Sequence, residues 1–164
     1  MTTPTDNLLD NNATYASGFD KSDLSLPPAR KLAVLACMDA RLDPAKVLGL
    51  DEGDAHVIRN AGGVVSDDAL RSLAISQNLL GTEEIILIHH TDCGMLTFTD
   101  DEFADKLEGE TGSRPEWPVH TFEDLDDNVR RSIEKIKGSP FVPHTDNVRG
   151  FVYEVETGQL REVT

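Results

Sequence analysis

Cysteine is scarce: Cys37 and Cys93 are the two in 164 residues. The chain opens, Met1 to Asn12, on polar and acidic residues where an export signal would be basic and then apolar. In that setting a cysteine pair reads as metal-binding or redox chemistry ahead of a structural disulfide. Basic residues are also in short supply. Fifteen Lys and Arg stand against 30 Asp and Glu, a formal charge of -15, which repels phosphates and an anionic membrane surface and argues against nucleic acid as a partner. No apolar run approaches the length of a membrane span, so the expected compartment is the cytoplasm. Aromatic residues make up 5%, which leaves the core to Leu, Ile, Val and Ala. No internal repeat or low-complexity tract divides the sequence, and its length suits one domain over residues 1–164.

The apolar residues that are present come in short runs. Lys31 to Cys37 is almost continuously apolar, as a strand covered on both faces requires, and His56 to Asn60 and Glu84 to His89 fit two more strands. Between the last two, Ser66 caps a predicted helix with Asp67 and Asp68 in its first turn and Gly81 at its end. Strands alternating with helical segments predict an α/β fold with a mainly parallel central sheet. In that helix Leu70, Leu73, Ala74 and Leu80 fall on one side, with Ile75 and Leu79 nearly opposite. Two apolar faces need two covers: the sheet supplies one and a second subunit the other. Phe122 to Ile136 carries a buried stripe of Leu125, Val129, Ile133 and Ile136 at helical spacing. Val148 to Tyr153, a Thr157-Gly158 turn and Gln159 to Val163 predict a closing antiparallel hairpin or edge strand. Residues 1–30 read as a peripheral arm: Leu8, Leu9, Tyr15 and Phe19 form one stripe on a short helix, which Gly18 and Pro27-Pro28 keep apart from the main body.

Cys37, Asp39 and Arg41 follow the first strand at a spacing of two, which projects a thiol, a carboxylate and a guanidinium to one side. His90 and Cys93 follow the third. In a parallel sheet both groups lie at the carboxyl ends of strands, where open α/β sheets keep their binding crevices. Two thiolates and an imidazole suit zinc, and three protein ligands leave a fourth position open, the mark of a catalytic site. Water in that position becomes a nucleophile. Because two thiolates cancel the charge of the ion, activity is expected to favour alkaline pH over a flat profile between about pH 6 and 9. Asp39 is a candidate fourth ligand in a closed state; a bidentate pair with Arg41 would instead hold it off the metal, ionised and aimed at the nucleophile. A plain surface ion pair is the bland alternative.

Cys37-Met38-Asp39-Ala40-Arg41 followed by His90-Thr91-Asp92-Cys93-Gly94 resembles the beta-class carbonic anhydrases, whose pattern is Cys-x-Asp-x-Arg and then His-x-x-Cys. The resemblance runs from the first strand through the helix after Cys93, about two thirds of the chain, and includes Arg59-Asn60-Ala61-Gly62-Gly63. It implies a parallel sheet with an antiparallel addition, a homodimer or dimer of dimers with an N-terminal arm laid over a partner, and Cys37, His90 and Cys93 as zinc ligands. It implies Asp39 and Arg41 as the catalytic dyad. The reaction it implies is reversible hydration of carbon dioxide to bicarbonate by a zinc-bound hydroxide. Ala40 departs from the commoner serine, and His89 and Asp92 stand where many members differ. Hydrolysis of carbonyl sulfide or carbon disulfide on the same site is the nearest rival, and a non-catalytic zinc or thiol sensor is the rival of another class. His89, adjacent to His90 and pointing the other way, reads as a packed histidine. A proton path through it is a guess. Gly62 and Gly63 fit either an anion approached by backbone N–H groups or a tight turn with no ligand. His56, His120 and His144 lack metal-like spacing, and Trp117 between Pro115 and Pro118 reads as a loop anchor.

Overall fold

The predicted strands all form. β1 (Leu32–Cys37), β2 (Ala55–Asn60), β3 (Glu84–His90), β4 (Val148–Tyr153) and β5 (Leu160–Val163) make one sheet in the order β2-β1-β3-β4-β5 in the computed structural model, which describes residues 3–164. The first four strands run parallel, and β5 returns antiparallel to β4 through the turn at Gly158.

All six residues of β1 are buried, as a central strand with both faces covered demands. Its alternate residues serve two cores. Ala33 and Leu35 pack with Ile85 and Leu87 of β3 beneath α3 (Asp67–Leu80) and α5 (Leu125–Lys137), against Leu73 and Ile136. Leu32, Val34 and Ala36 face the other way, toward Leu42, Val64, Met95 and Phe122. Each fully buried Leu or Ile of these clusters contributes about 1.5–3 kcal/mol relative to exposure.

Helix ends follow local chemistry. Ser66 Oγ accepts the Ala69 N–H at 3.2 Å to start α3, and Gly81 closes it in the left-handed region. Asp124 caps α5, so that helix starts after Phe122, which belongs to the second core. The stripe of Leu125, Val129, Ile133 and Ile136 turns inward as its spacing predicts. In α3 the buried side is Ala69, Leu73, Ser76 and Gln77, while Leu70 and Ala74 are half-buried on the border of the outer face that holds Ile75 and Leu79. Leu70 packs on the same core as Leu73, as expected, whereas Ala74 lies toward the outer face.

Two helices lacked a strong apolar stripe and were not delimited from sequence. α2 (Pro44–Leu48) is capped by Asp43, and α4 (Asp100–Thr111) opens with a reciprocal pair in which Thr99 caps the Glu102 N–H and Glu102 returns to the Thr99 N–H. The arm holds α1 (Pro4–Ser17), in which no residue is buried. Leu8 and Leu9 are 65% and 63% exposed, and Tyr15 and Lys21 both bind Glu52, fastening the arm at its end.

Candidate active site

β1 and β3 are neighbours at the middle of the sheet, with Ala36 paired to Ile88, so the residues that leave their carboxyl ends meet. Cys37 ends β1, His90 ends β3, and Cys93 follows after a bend at Asp92. Their donor atoms lie within 4.8 Å of one another, and all three side chains are buried.

The donor set fits a soft divalent cation. His90 Nδ1 binds the Thr91 carbonyl at 2.8 Å, which fixes the ring and leaves Nε2 buried without a hydrogen-bond partner. An orphaned buried ring nitrogen beside two thiols is costly unless something accepts its lone pair. The adjacent Cys93 thiol pulls the Cys37 thiol below its ordinary value against the opposing effect of burial, while Cys37 and burial push Cys93 up. A cation bound between them would favour both as thiolates.

Asp39 and Arg41 come together as the spacing predicts. Arg41 Nε and Nη2 donate to the two Asp39 oxygens at 3.0 and 2.9 Å, and the Arg41 main-chain N–H adds a third bond at 2.8 Å. The Arg41 guanidinium holds the Asp39 carboxyl well below the usual carboxylate range. Asp39 Oδ2 also lies 3.7 Å from His90 Nε2, so the carboxylate faces the donor cluster while both its oxygens stay paired to Arg41.

The contacts that neighbouring residues make with the site were not legible in the sequence. Arg59 reaches from β2 to the carbonyls of Cys37, Asp39 and Leu42, at 2.7, 2.9 and 2.7 Å, and so pins the turn that carries the dyad. The Asn60 amide closes the glycine turn by bonding both the N–H and the C=O of Val64. Gly63, at φ +64°, presses on β1: a Cβ there would come within 2.8 Å of the Cys37 nitrogen. Gly62, at φ +82°, borders the cleft instead, and its main chain hydrogen-bonds Cys37. His89 is fully buried, with Nε2 on Asn128 Oδ1 at 2.7 Å and its ring against Phe122, the placement of a packed histidine.

Asp39 and Cys93 open on a cleft of about 620 Å3 walled by Met95, Phe98, Phe103, Trp117 and Val119. Trp117, 57% exposed, stands 6.4 Å from Phe103, which stands 5.6 Å from Phe98, so the residue read as a loop anchor is part of an aromatic row on the cleft wall. His120 borders the same cleft, a placement its lack of metal-like spacing concealed. His56 instead bonds Ser76 on α3 at 2.7 Å.

Residues 32–117 match the carbonic anhydrase family. Beta-carbonic anhydrase 1 of Mycobacterium tuberculosis is 58% identical over 99% of this chain and 99% of its own. Carbon disulfide hydrolase of Saccharolobus solfataricus is 40% identical over 84% of this chain and 79% of its own. Among solved structures, a carbonic anhydrase from Streptococcus mutans superposes with a TM-score of 0.93 at 41% identity, covering 100% of this chain and 99% of that one.

Proposed function

This chain belongs to the beta-class carbonic anhydrase family, and on that footing we propose that it catalyses the reversible hydration of carbon dioxide to bicarbonate at a zinc ion held by Cys37, His90 and Cys93. The observation that carries the proposal is the buried donor triad with His90 Nε2 unpartnered, beside a carboxylate that Arg41 keeps ionised. Zinc bound there supplies a Lewis-acidic position that makes water acidic enough to attack carbon near neutral pH.

The chain's own residues do the rest. Asp39 accepts a hydrogen bond from the attacking water and so orients it, and Arg41 keeps Asp39 from turning to other partners. With both oxygens of Asp39 paired, the site is assigned to the open arrangement, and a closed one would require the Arg41 pair to break. The aromatic and aliphatic wall of the cleft admits a small linear apolar molecule, and the Gly62 side of that wall is where bicarbonate is assigned to leave. Two free buried thiols suit a reducing compartment, and this supports assigning the protein to the cytoplasm. Among the described residues no helix is long and apolar enough to cross a membrane.

The partner is assigned as a second copy, in a homodimer or dimer of dimers. An isolated helix of α1's length is marginal in water, and this one buries nothing in its own chain. The outer face of α3 offers a matching apolar groove of about 720 Å3 with Ile75, Leu79, Pro140 and Phe141.

Stopped-flow hydration of carbon dioxide on a zinc-assayed preparation tests the function, beside the Asp39→Asn variant. The variant is expected to keep stoichiometric zinc and to lose on the order of tenfold or more in turnover; unchanged turnover removes the role given to Asp39. A second reading, hydrolysis of carbonyl sulfide or carbon disulfide, has the 40% identical relative behind it. Sulfide release measured on the same preparation separates the two.

A further inference from the structure

We propose that Asp92 is a positioning residue for the Asp39–Arg41 pair: it anchors the guanidinium so that Asp39 is presented to the cluster in a single orientation. The inference rests on the role given to Asp39 above. Arg41 is 48% exposed, and a long exposed side chain loses rotamer freedom when it pairs with one carboxylate, which offsets most of what the pairing gains. Paired with Asp39 alone, it would let go often.

Asp92 supplies two further acceptors. Arg41 Nη1 donates to Asp92 Oδ2 at 2.8 Å, and Nη2 donates to the Asp92 main-chain carbonyl at 3.0 Å. All three guanidinium nitrogens are then engaged, Nε by Asp39, Nη1 by Asp92 and Nη2 by both. A planar fork held at every corner cannot rotate without breaking several bonds together.

The backbone at Asp92 is part of the device. Its φ of +56° lies in the left-handed region, which Asp and Asn tolerate better than other side-chain-bearing residues. With that bend, the carbonyl and the carboxylate of one residue both reach the same guanidinium. Asp92 also sits between His90 and Cys93, so the anchor is covalently tied to the segment that carries two of the three donors. The Asp92 side chain is 78% exposed, which leaves its charge screened by solvent and makes its contribution geometric. An uncharged acceptor of the same shape should therefore serve nearly as well.

The test is a double-mutant cycle in the zinc-loaded protein, using Asp92→Ala, Asp92→Asn, Arg41→Ala and the Arg41→Ala/Asp92→Ala pair. Asp92→Gly, which accepts the positive φ without strain, is the second truncation should Asp92→Ala fail to retain zinc. Truncation at Asp92 is expected to lower kcat/KM for hydration about fivefold with zinc stoichiometric, Asp92→Asn to stay within about twofold of the parent, and truncation to cost less than about 1.5-fold once Arg41 is gone. Equal losses with and without Arg41 would show a merely structural role and overturn the proposal. Crystal structures give a readout independent of activity: the bidentate Arg41–Asp39 pair is expected to be displaced in the truncated variant and kept in Asp92→Asn. An intact pair after truncation overturns the anchor even in a protein that does not hydrate carbon dioxide, whereas an inactive parent with the pair displaced removes the function and leaves the anchor standing.

Discussion

Around Cys37 the polar groups are tied down: Arg59 holds three carbonyls of the turn, the Asn60 amide bonds both main-chain groups of Val64, and Arg41 is gripped from two sides. On the outer side of α3 the opposite holds, with Leu79 and Phe141 standing 76% and 69% exposed beside a groove that nothing among the described residues fills. The contrast separates two kinds of completeness. One chain by itself assembles the donors and the groups that orient them, while its apolar exterior stays open, and the proposed second copy is what would cover it.

The comparison can be broken at its strongest point first. Replacing Cys93 by Ala removes one donor of three and should abolish stoichiometric zinc and lower hydration by about a thousandfold or more, read by metal analysis and stopped flow. A variant that keeps the metal and most of the rate would mean that Cys93 is not part of the site. Gly63→Ala comes next. The new Cβ meets β1 main chain in a left-handed backbone, so about 2–4 kcal/mol of stability should be lost in urea denaturation, against about 1 kcal/mol for Gly81→Ala, which shares the left-handed backbone but has open space around Cβ.

On the unfinished side, Leu79→Asp should leave the far-ultraviolet spectrum and zinc content unchanged and weaken self-association by about tenfold or more in sedimentation velocity. If the parent sediments as a monomer at micromolar concentration, the assigned dimer falls and the groove needs another occupant. The smallest effect is expected where β5 is tied to α5. Arg161 hydrogen-bonds Asp126 through both its oxygens and holds that carboxyl below its usual range. A lowered folded value makes the pair stabilising above the unfolded carboxylate range, near pH 4, and the contribution fades as pH falls through the folded value. Because both side chains are partly exposed, Asp126→Asn should cost no more than about 1 kcal/mol at pH 7, with the difference from the parent shrinking as pH falls below the usual carboxylate range and vanishing below the lowered folded value. A gap that persisted at low pH would exclude the ion pair as its source.

What the sequence could disclose followed from the range of each interaction. Cys37, Asp39 and Arg41 are close along the chain, and an apolar run announces the strand that delivers them, so their convergence was legible. The strands and α3 were legible for the same reason, since period and caps are local. Arg59 and Asn128 act across 17 to 39 residues, and no spacing rule links a guanidinium on one strand to the carbonyls after another. α4 is a different case. Its start was written in Thr99 and Glu102, but an acidic segment with few apolar positions drew attention away from that reciprocal cap. The outer face of α3 was legible in kind, through Ile75 and Leu79, and misjudged at Ala74, which lies toward it.

The placement of Cys37 and His90 on the two innermost strands has an evolutionary reading. Their separation is set by the ladder between β1 and β3, the least alterable distance in the molecule, whereas Phe98, Phe103, Trp117 and Val119 stand on connecting segments and a peripheral helix. Descendants of such a scaffold can exchange the lip that selects what enters, residue by residue, while the foundation that performs the reaction is inherited whole.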